Sequence, residues 1–121
     1  MSYVGSIFHI IDNTGGLRVK CLCAYGKRKI TFGSYVLLVL KRIKPNNKKL
    51  QKGLKIKGYI LNLDKLWRRR GGHLMRPNRN TALLLKKNGD PMGSRLKGMV
   101  LSEMKFIRNF SKVMSIANYV L

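Results

Sequence analysis

The side chains with chemical potential in this sequence are its cations, and they come in groups. Between Lys41 and Lys57, eight of seventeen positions are basic: Lys41, Arg42, Lys44, Lys48, Lys49, Lys52, Lys55 and Lys57. A second group, Lys65, Arg68, Arg69, Arg70, Arg76 and Arg79, surrounds the single tryptophan, Trp67. Guanidinium forks match phosphate oxygens in pairs and stack on bases, and a neighbouring indole can join such stacks. Trp67 is equally well suited to anchor one end of a small core, and its type alone does not choose. Arg18, Lys20, Lys27, Arg28, Arg95 and Lys97 complete the set of candidate polyanion contacts. A solvated surface normally mixes signs. This chain of 121 residues has 26 Lys and Arg against 4 Asp and Glu, a formal charge of +22. So large an excess on a small body repels itself and calls for a polyanion around it. Nucleic acid is the first candidate and an anionic membrane the second.

Catalysis needs positioned acids, bases or nucleophiles, and the pattern argues against it. Asp12, Asp64, Asp90 and Glu103 fall in four separate segments, and His9 and His73 are isolated imidazoles. Cys21 and Cys23, two apart on an extended segment, share one face and read as core thiols. A zinc site needs further ligands at suitable spacing, so no metal is expected. Gly53 to Gly58 begins like a phosphate loop, but Tyr59 and Ile60 stand where Lys and Ser/Thr are required. No catalytic residue and no cofactor are expected. The longest uncharged runs, Met1 to Ile11 and Ile30 to Leu40, have eleven residues each, against the ~20 that span a bilayer as a helix. No basic helix with an apolar face suggests membrane adsorption. The first cation is Arg18, so neither a secretory signal nor an Arg-rich transit peptide is expected.

The elements that must position these cations are mostly strands. Ile7 to Ile11 is a short apolar run. Leu17 to Tyr25 alternates apolar and basic positions with period two, and the Asp12–Gly16 cluster supplies a loop between them. Tyr35 to Leu40 reads as a strand buried on both faces. Leu54 to Leu63 alternates around Gly58, a glycine expected at a bend or at a close approach of two backbones. Thr81 to Leu85 is a fifth strand, closed by a turn over Asn88 to Pro91. Asp64 to Asn80 reads as a long exposed hairpin or loop. Beyond Gly98 the pattern turns helical: Ser102 can cap one short helix, and Ser111 to Ala117 can form another. The expected fold is all-β dominated, a small closed barrel of five antiparallel strands with one or two short C-terminal α-helices. It is expected as one domain over 1–121, with a barrel and basic loops in 1–100 and a short helical part in 101–121.

Several segments are also familiar in order. Asp12-Asn13-Thr14-Gly15-Gly16 with Arg18-Val19 and Cys21 resembles the start of the universal large-subunit ribosomal protein fourteen family. Asn80 to Leu85 is similar to one of its strands. Pro91-Met92-Gly93-Ser94-Arg95-Leu96-Lys97-Gly98-Met99-Val100 resembles its Pro-x-Gly-Thr-Arg-Ile-x-Gly-Pro-Val segment. Glu103-Met104-Lys105 and Val113 to Ala117 follow where that family has similar residues. The resemblance runs from about Ile7 to Leu121. It implies a five-stranded barrel with short C-terminal helices that binds large-subunit rRNA without catalysis. It further implies a place at the subunit interface, a bridge to small-subunit rRNA, and neighbours of the bacterial three and nineteen types. No membrane and no homo-oligomer are implied. By position, Arg18, Lys20, Arg68, Arg69, Arg70, Arg76 and Arg95 would carry RNA contacts. Glu103, Phe106, Phe110 and Tyr119 would meet neighbouring proteins. Ser34, Arg79 and Met99 depart from the family pattern, with acids lost and cations gained. A Lys/Asn/Ile/Leu-rich sequence of this kind suggests an AT-rich organellar genome and a mitochondrial ribosome. The rival reading is a free basic RNA-binding barrel, an initiation-factor-like or chaperone module, which would present exposed aromatics for base stacking.

Overall fold

In the computed structural model the strands run, in chain order, β1 (Ser2–Tyr3), β2 (Ile7–Ile10), β3 (Gly16–Ala24), β4 (Lys29–Ile30), β5 (Tyr35–Ile43), β6 (Lys55–Asn62), β7 (Trp67–Arg68), β8 (Leu74–Met75), β9 (Thr81–Leu84) and β10 (Leu96–Val100). A helix, α1 (Phe110–Ile116), and a last strand, β11 (Ala117–Val120), follow. The structure describes residues 2–3, 5–25, 29–45, 50–64, 66–68, 71–77, 79–101 and 110–120.

Strands β2, β3, β5, β6 and β9 close into a barrel in that order. These are the five strands expected from the sequence. One expectation fails: the closing pair, β2 with β9, is parallel, with His9 opposite Thr81 and Ile10 opposite Ala82. The reason is geometric. Strand directions cannot alternate all the way round a ring of five, so at least one neighbouring pair must agree. Within the segment expected as a hairpin or loop, β7 pairs antiparallel with β8, Trp67 opposite Met75 and Arg68 opposite Leu74.

The alternation predicted for β3 breaks at a bulge. Cys21 faces Leu38 and Cys23 faces Leu37, which leaves Leu22 as an extra residue. Cys21 is therefore buried and Cys23 exposed, so the two thiols do not share the core. The barrel interior is filled by Phe8, Val19, Cys21, Val36, Leu38, Leu40, Ile60, Ala82 and Leu84 among others. Gly58 lets β6 lie close to β9. A Cβ at this position would fall 2.3 Å from the Leu83 carbonyl oxygen and 2.8 Å from Leu38 Cδ1.

A second apolar layer lies outside the barrel. Tyr59, Leu61, Leu83 and Leu85 pack with Leu96, Val100, Leu101 and Val113. This explains why β9 is buried at every position. The C-terminal part is not purely helical: β11 pairs in parallel with β10. The helix expected over Ser111 to Ala117 is α1, with Val113 buried. The cap at Ser102 lies outside the described residues.

Candidate nucleic-acid interface

Two loops that the sequence places far apart lock together. Ser94 N donates to Asn13 Oδ1 at 2.9 Å, and Asn13 Nδ2 donates to Ser94 Oγ at 2.8 Å. Arg95 N also donates to Asn13 Oδ1, at 3.3 Å. Behind them Asp12 is almost fully buried and accepts from Thr14 N at 3.1 Å, from Thr14 Oγ1, and from Leu84 N at 3.4 Å. Burial pushes its carboxyl above the usual range, and the Thr14 and Leu84 hydrogen bonds only partly offset this. Gly93 is needed here because a Cβ would sit 2.8 Å from both Asn13 Oδ1 and Asp12 Cβ. Asp12 is therefore a structural pin. The clamp fixes the backbone that carries Arg95, whose side chain is exposed.

The cations of β3 and β5 form a continuous face. Arg18 lies opposite His9 on β2 and opposite Arg42 on β5. Arg18, Lys20, Lys41, Arg42 and Lys52 line a shallow depression with Gly5 and Ile7. A neighbouring depression shares Arg18 and Arg42 and adds Arg79 and Lys97. Seven of the candidate residues, drawn from β3, β5, β10 and two loops, thus converge on adjoining concavities. Lys44 is exposed just past β5.

The remaining candidates are placed otherwise. Arg68 is exposed on β7, and Arg76 donates to Asp64 at 2.9 Å. Lys27, Arg28, Lys48, Lys49, Arg69, Arg70, Glu103 and Phe106 lie outside the described residues, as do the side chains of Trp67, Phe110 and Tyr119.

Three residues beside these cations, His9, Asn62 and Thr81, were not expected there: His9 reads in the sequence as an isolated imidazole, and Asn62 and Thr81 only as strand positions. All three line the second depression. Only the closed-ring register reveals them, because they lie on three different strands. The sequence reading also passed over Lys86 and Lys87, which with Lys55 and Lys57 rim a separate depression floored by Leu37, Leu50, Leu54, Ile56, Leu85 and Met92. Their adjacency before the Asn88–Pro91 turn was the available signal.

No acid among the described residues compensates the cationic face. Among the described acids, Asp12 is buried, Asp64 pairs with Arg76, and Asp90 accepts from Lys112 at 2.8 Å. That last contact holds the Asp90 carboxyl below its ordinary range. On the cationic face, burial and the charges of Arg79 and Arg18 lower the His9 pKa. No group of His, Cys, Asp and Glu suited to a metal occurs among the described residues. Among the same residues, no helix is long and apolar enough to cross a membrane.

The chain as a whole, barrel and cationic face together, has a counterpart among known families. The family described as ribosomal protein L14p/L23e matches residues 1–121. The chain belongs to that family. A relative from Welwitschia mirabilis, named large ribosomal subunit protein uL14c, is 30% identical over 116 residues, covering 93% of each chain. As an L14p/L23e protein the chain is a structural constituent of the large ribosomal subunit, not a catalyst. Its setting is the ribosome, with rRNA and other ribosomal proteins around it.

Proposed function

We propose that this L14p/L23e chain holds large-subunit rRNA on the face built from Arg18, Lys20, Lys41, Arg42, Lys52, Arg79 and Lys97. The observation that carries the reading is the convergence of these cations on two adjoining depressions that no acid among the described residues lines. Phosphate contacts of this type fix register, while the shape of the RNA selects the site. Lys27, Arg28, Lys44, Lys48, Lys49, Arg68, Arg69, Arg70, Arg76 and Arg95 extend the contact. The same reading sets the protein at the subunit interface, in a bridge to small-subunit rRNA. Its neighbours there are large-subunit proteins of the three and nineteen types, met by Glu103, Phe106, Phe110 and Tyr119 in the C-terminal segment.

Contact with ~8 phosphates gives a slope of about −6 to −7 in log K against log salt. Binding of purified protein to large-subunit rRNA across a salt series measures it, and a slope near −1 rules the wrapped arrangement out. We place the protein in an organellar ribosome, the mitochondrial one in preference, on the Lys/Asn-rich, acid-poor composition. Sucrose gradients of separated mitochondrial and plastid lysates test both points. About one copy per large subunit, kept through a high-salt wash and released by ribonuclease, supports a core ribosomal protein. A peak at the top of the gradient supports a free RNA-binding module, and a plastid-only signal overturns the mitochondrial assignment.

A further inference from the structure

One register row crosses all five barrel strands. Arg42 faces Arg18, Arg18 faces His9, His9 faces Thr81, and Thr81 faces Asn62. The row begins in two exposed guanidiniums and ends in two buried polar side chains, Thr81 at 7% and Asn62 at 4% exposure. Asn62 Nδ2 donates to Met99 O at 2.8 Å, but among the described residues Asn62 Oδ1 has no hydrogen-bond partner, and neither has Thr81 Oγ1. Buried polar atoms are nearly always paired, so two orphans on facing residues require a reason. Both residues line the same depression of about 950 Å³ as Arg79 and Lys97.

We propose that this depression takes one unstacked ribonucleotide, whose 2′-hydroxyl donates to Asn62 Oδ1 and accepts from the Thr81 hydroxyl while its phosphates lie on Arg18, Arg42 and Arg79. The inference rests on the rRNA-binding reading and adds to it a chemical basis for choosing RNA over DNA. Facing residues on neighbouring strands hold their Cβ atoms about 5 Å apart, a span that one hydroxyl can bridge. The 2′-hydroxyl is both donor and acceptor and is absent from DNA. It therefore suits an orphan acceptor beside an orphan hydroxyl. His9, between Arg18 and Thr81 in the row, offers a ring on which the base can stack. Entry requires movement at the mouth, where Arg79 and Lys97 are long and exposed.

Thr81→Val keeps the shape of the side chain and removes the hydroxyl, and Thr81→Ser keeps the hydroxyl. The full chain and both variants are titrated with a mixed-sequence single-stranded RNA 12-mer and its deoxy counterpart, and their thermal unfolding is recorded. The expected result is a wild-type preference for RNA that falls roughly threefold to tenfold in T81V. T81S retains it, and DNA affinity is the same in all three. T81V melts at the wild-type temperature or above, because it loses a hydroxyl that had no partner. A T81V that keeps the RNA preference overturns the pocket while leaving the rRNA-binding face standing. A T81V that melts lower shows the hydroxyl satisfied within the protein and also overturns the pocket. A wild type that binds neither strand overturns both readings together.

Discussion

On β3 and β5 the wall of the barrel carries Arg18, Lys20, Lys41 and Arg42 toward solvent. On β6 and β9 the outer positions are Tyr59, Leu61 and Leu83, and they are buried beneath β10, Leu101 and α1. Both halves line the same interior, with Val19 and Leu38 on one side and Ile60 and Leu84 on the other. The difference lies only in what covers the outside. On the β6–β9 half, the chain covers itself, and the apolar outer residues supply stability. On the β3–β5 half nothing from the described chain lies over the cations, and their mutual repulsion opposes folding until a polyanion arrives. The comparison separates residues that hold the fold from residues that make it useful, and substitutions on either half should expose that division.

The largest effect is expected on the covered half. Gly58→Val drives a side chain into the Leu83 carbonyl, 2.3 Å from the ideal Cβ, where backbone cannot move aside. It should cost about 3 kcal/mol or more and lower the melting temperature by roughly 10 °C. An unchanged melting temperature would show that β6 and β9 do not pack this closely. Leu83→Ala, at a residue with no exposed surface in the outer layer, should cost about 2–5 kcal/mol by leaving a cavity. Its RNA affinity, measured where the variant is still folded, should match the wild type. A large loss of affinity would mean that the covered half also takes part in binding.

On the open half the pattern reverses. Arg18→Gln together with Arg42→Gln removes two cations shared by both depressions. Affinity for large-subunit rRNA should fall about tenfold to a hundredfold, that is ~1.4–2.8 kcal/mol. The salt slope should become shallower by about 1.5 to 2. Thermal stability should hold or rise slightly, because two like charges are gone. Arg76→Gln supplies the contrast: this residue is paired with Asp64, and its removal should alter affinity less than Arg18→Gln alone. Equal losses for Arg76 and Arg18 would erase the distinction between paired and uncompensated cations.

Much of this division was legible in the residues. Arg18 and Lys20 alternate with Val19 and Cys21, which implies one wet face. Burial on both faces, by contrast, was expected of Tyr35 to Leu40, where Tyr35 and Leu37 are only partly buried, and it is Thr81 to Leu84 that is covered throughout. The bulge at Leu22 was not legible, because nothing in Cys21-Leu22-Cys23 distinguishes a slipped register from a regular one; it is set by the pairing with β5. The parallel β2–β9 closure and the β10–β11 pair were missed for the same reason, since pairing partners distant in sequence leave no local trace. The cations of the open face were legible as types and as clusters. Their convergence was not, because Arg79 and Lys97 join Arg18 and Arg42 only once the ring has closed. Asp12 looked like a turn residue and proved to be a buried pin; Asx-turn chemistry and burial read alike in sequence.

The smallest expected effects are two titrations of opposite sign, one in the clamp and one on the open face. Asp12 has a raised pKa in the folded protein, so the native state binds its proton more tightly than the unfolded chain does. Its contribution to stability is therefore greatest in acid and declines as pH rises from the ordinary value of 3.8 through the raised one. Asp12→Asn removes that titration. It also turns an amide toward Leu84 N, which adds a cost independent of pH. The slope, not the offset, carries the information: relative to D12N, the wild type should lose stability as pH rises from about 4, then level off. His9 behaves in the opposite way. Its pKa is lowered by burial and by Arg79 and Arg18, so the folded state resists its protonation and stability is lost as pH falls below 6.5. His9→Gln should flatten that acid-side loss. Bound RNA should relieve the smaller part of that loss, the part set by Arg79 and Arg18, since phosphate there cancels the charges that oppose the proton, while the larger part set by burial stays. Urea midpoints from pH 4 to 7.5, for D12N, H9Q and the wild type with and without RNA, resolve both. If RNA leaves the His9 limb unchanged, the polyanion does not sit over Arg18 and Arg79, and the open half must be open for some other partner.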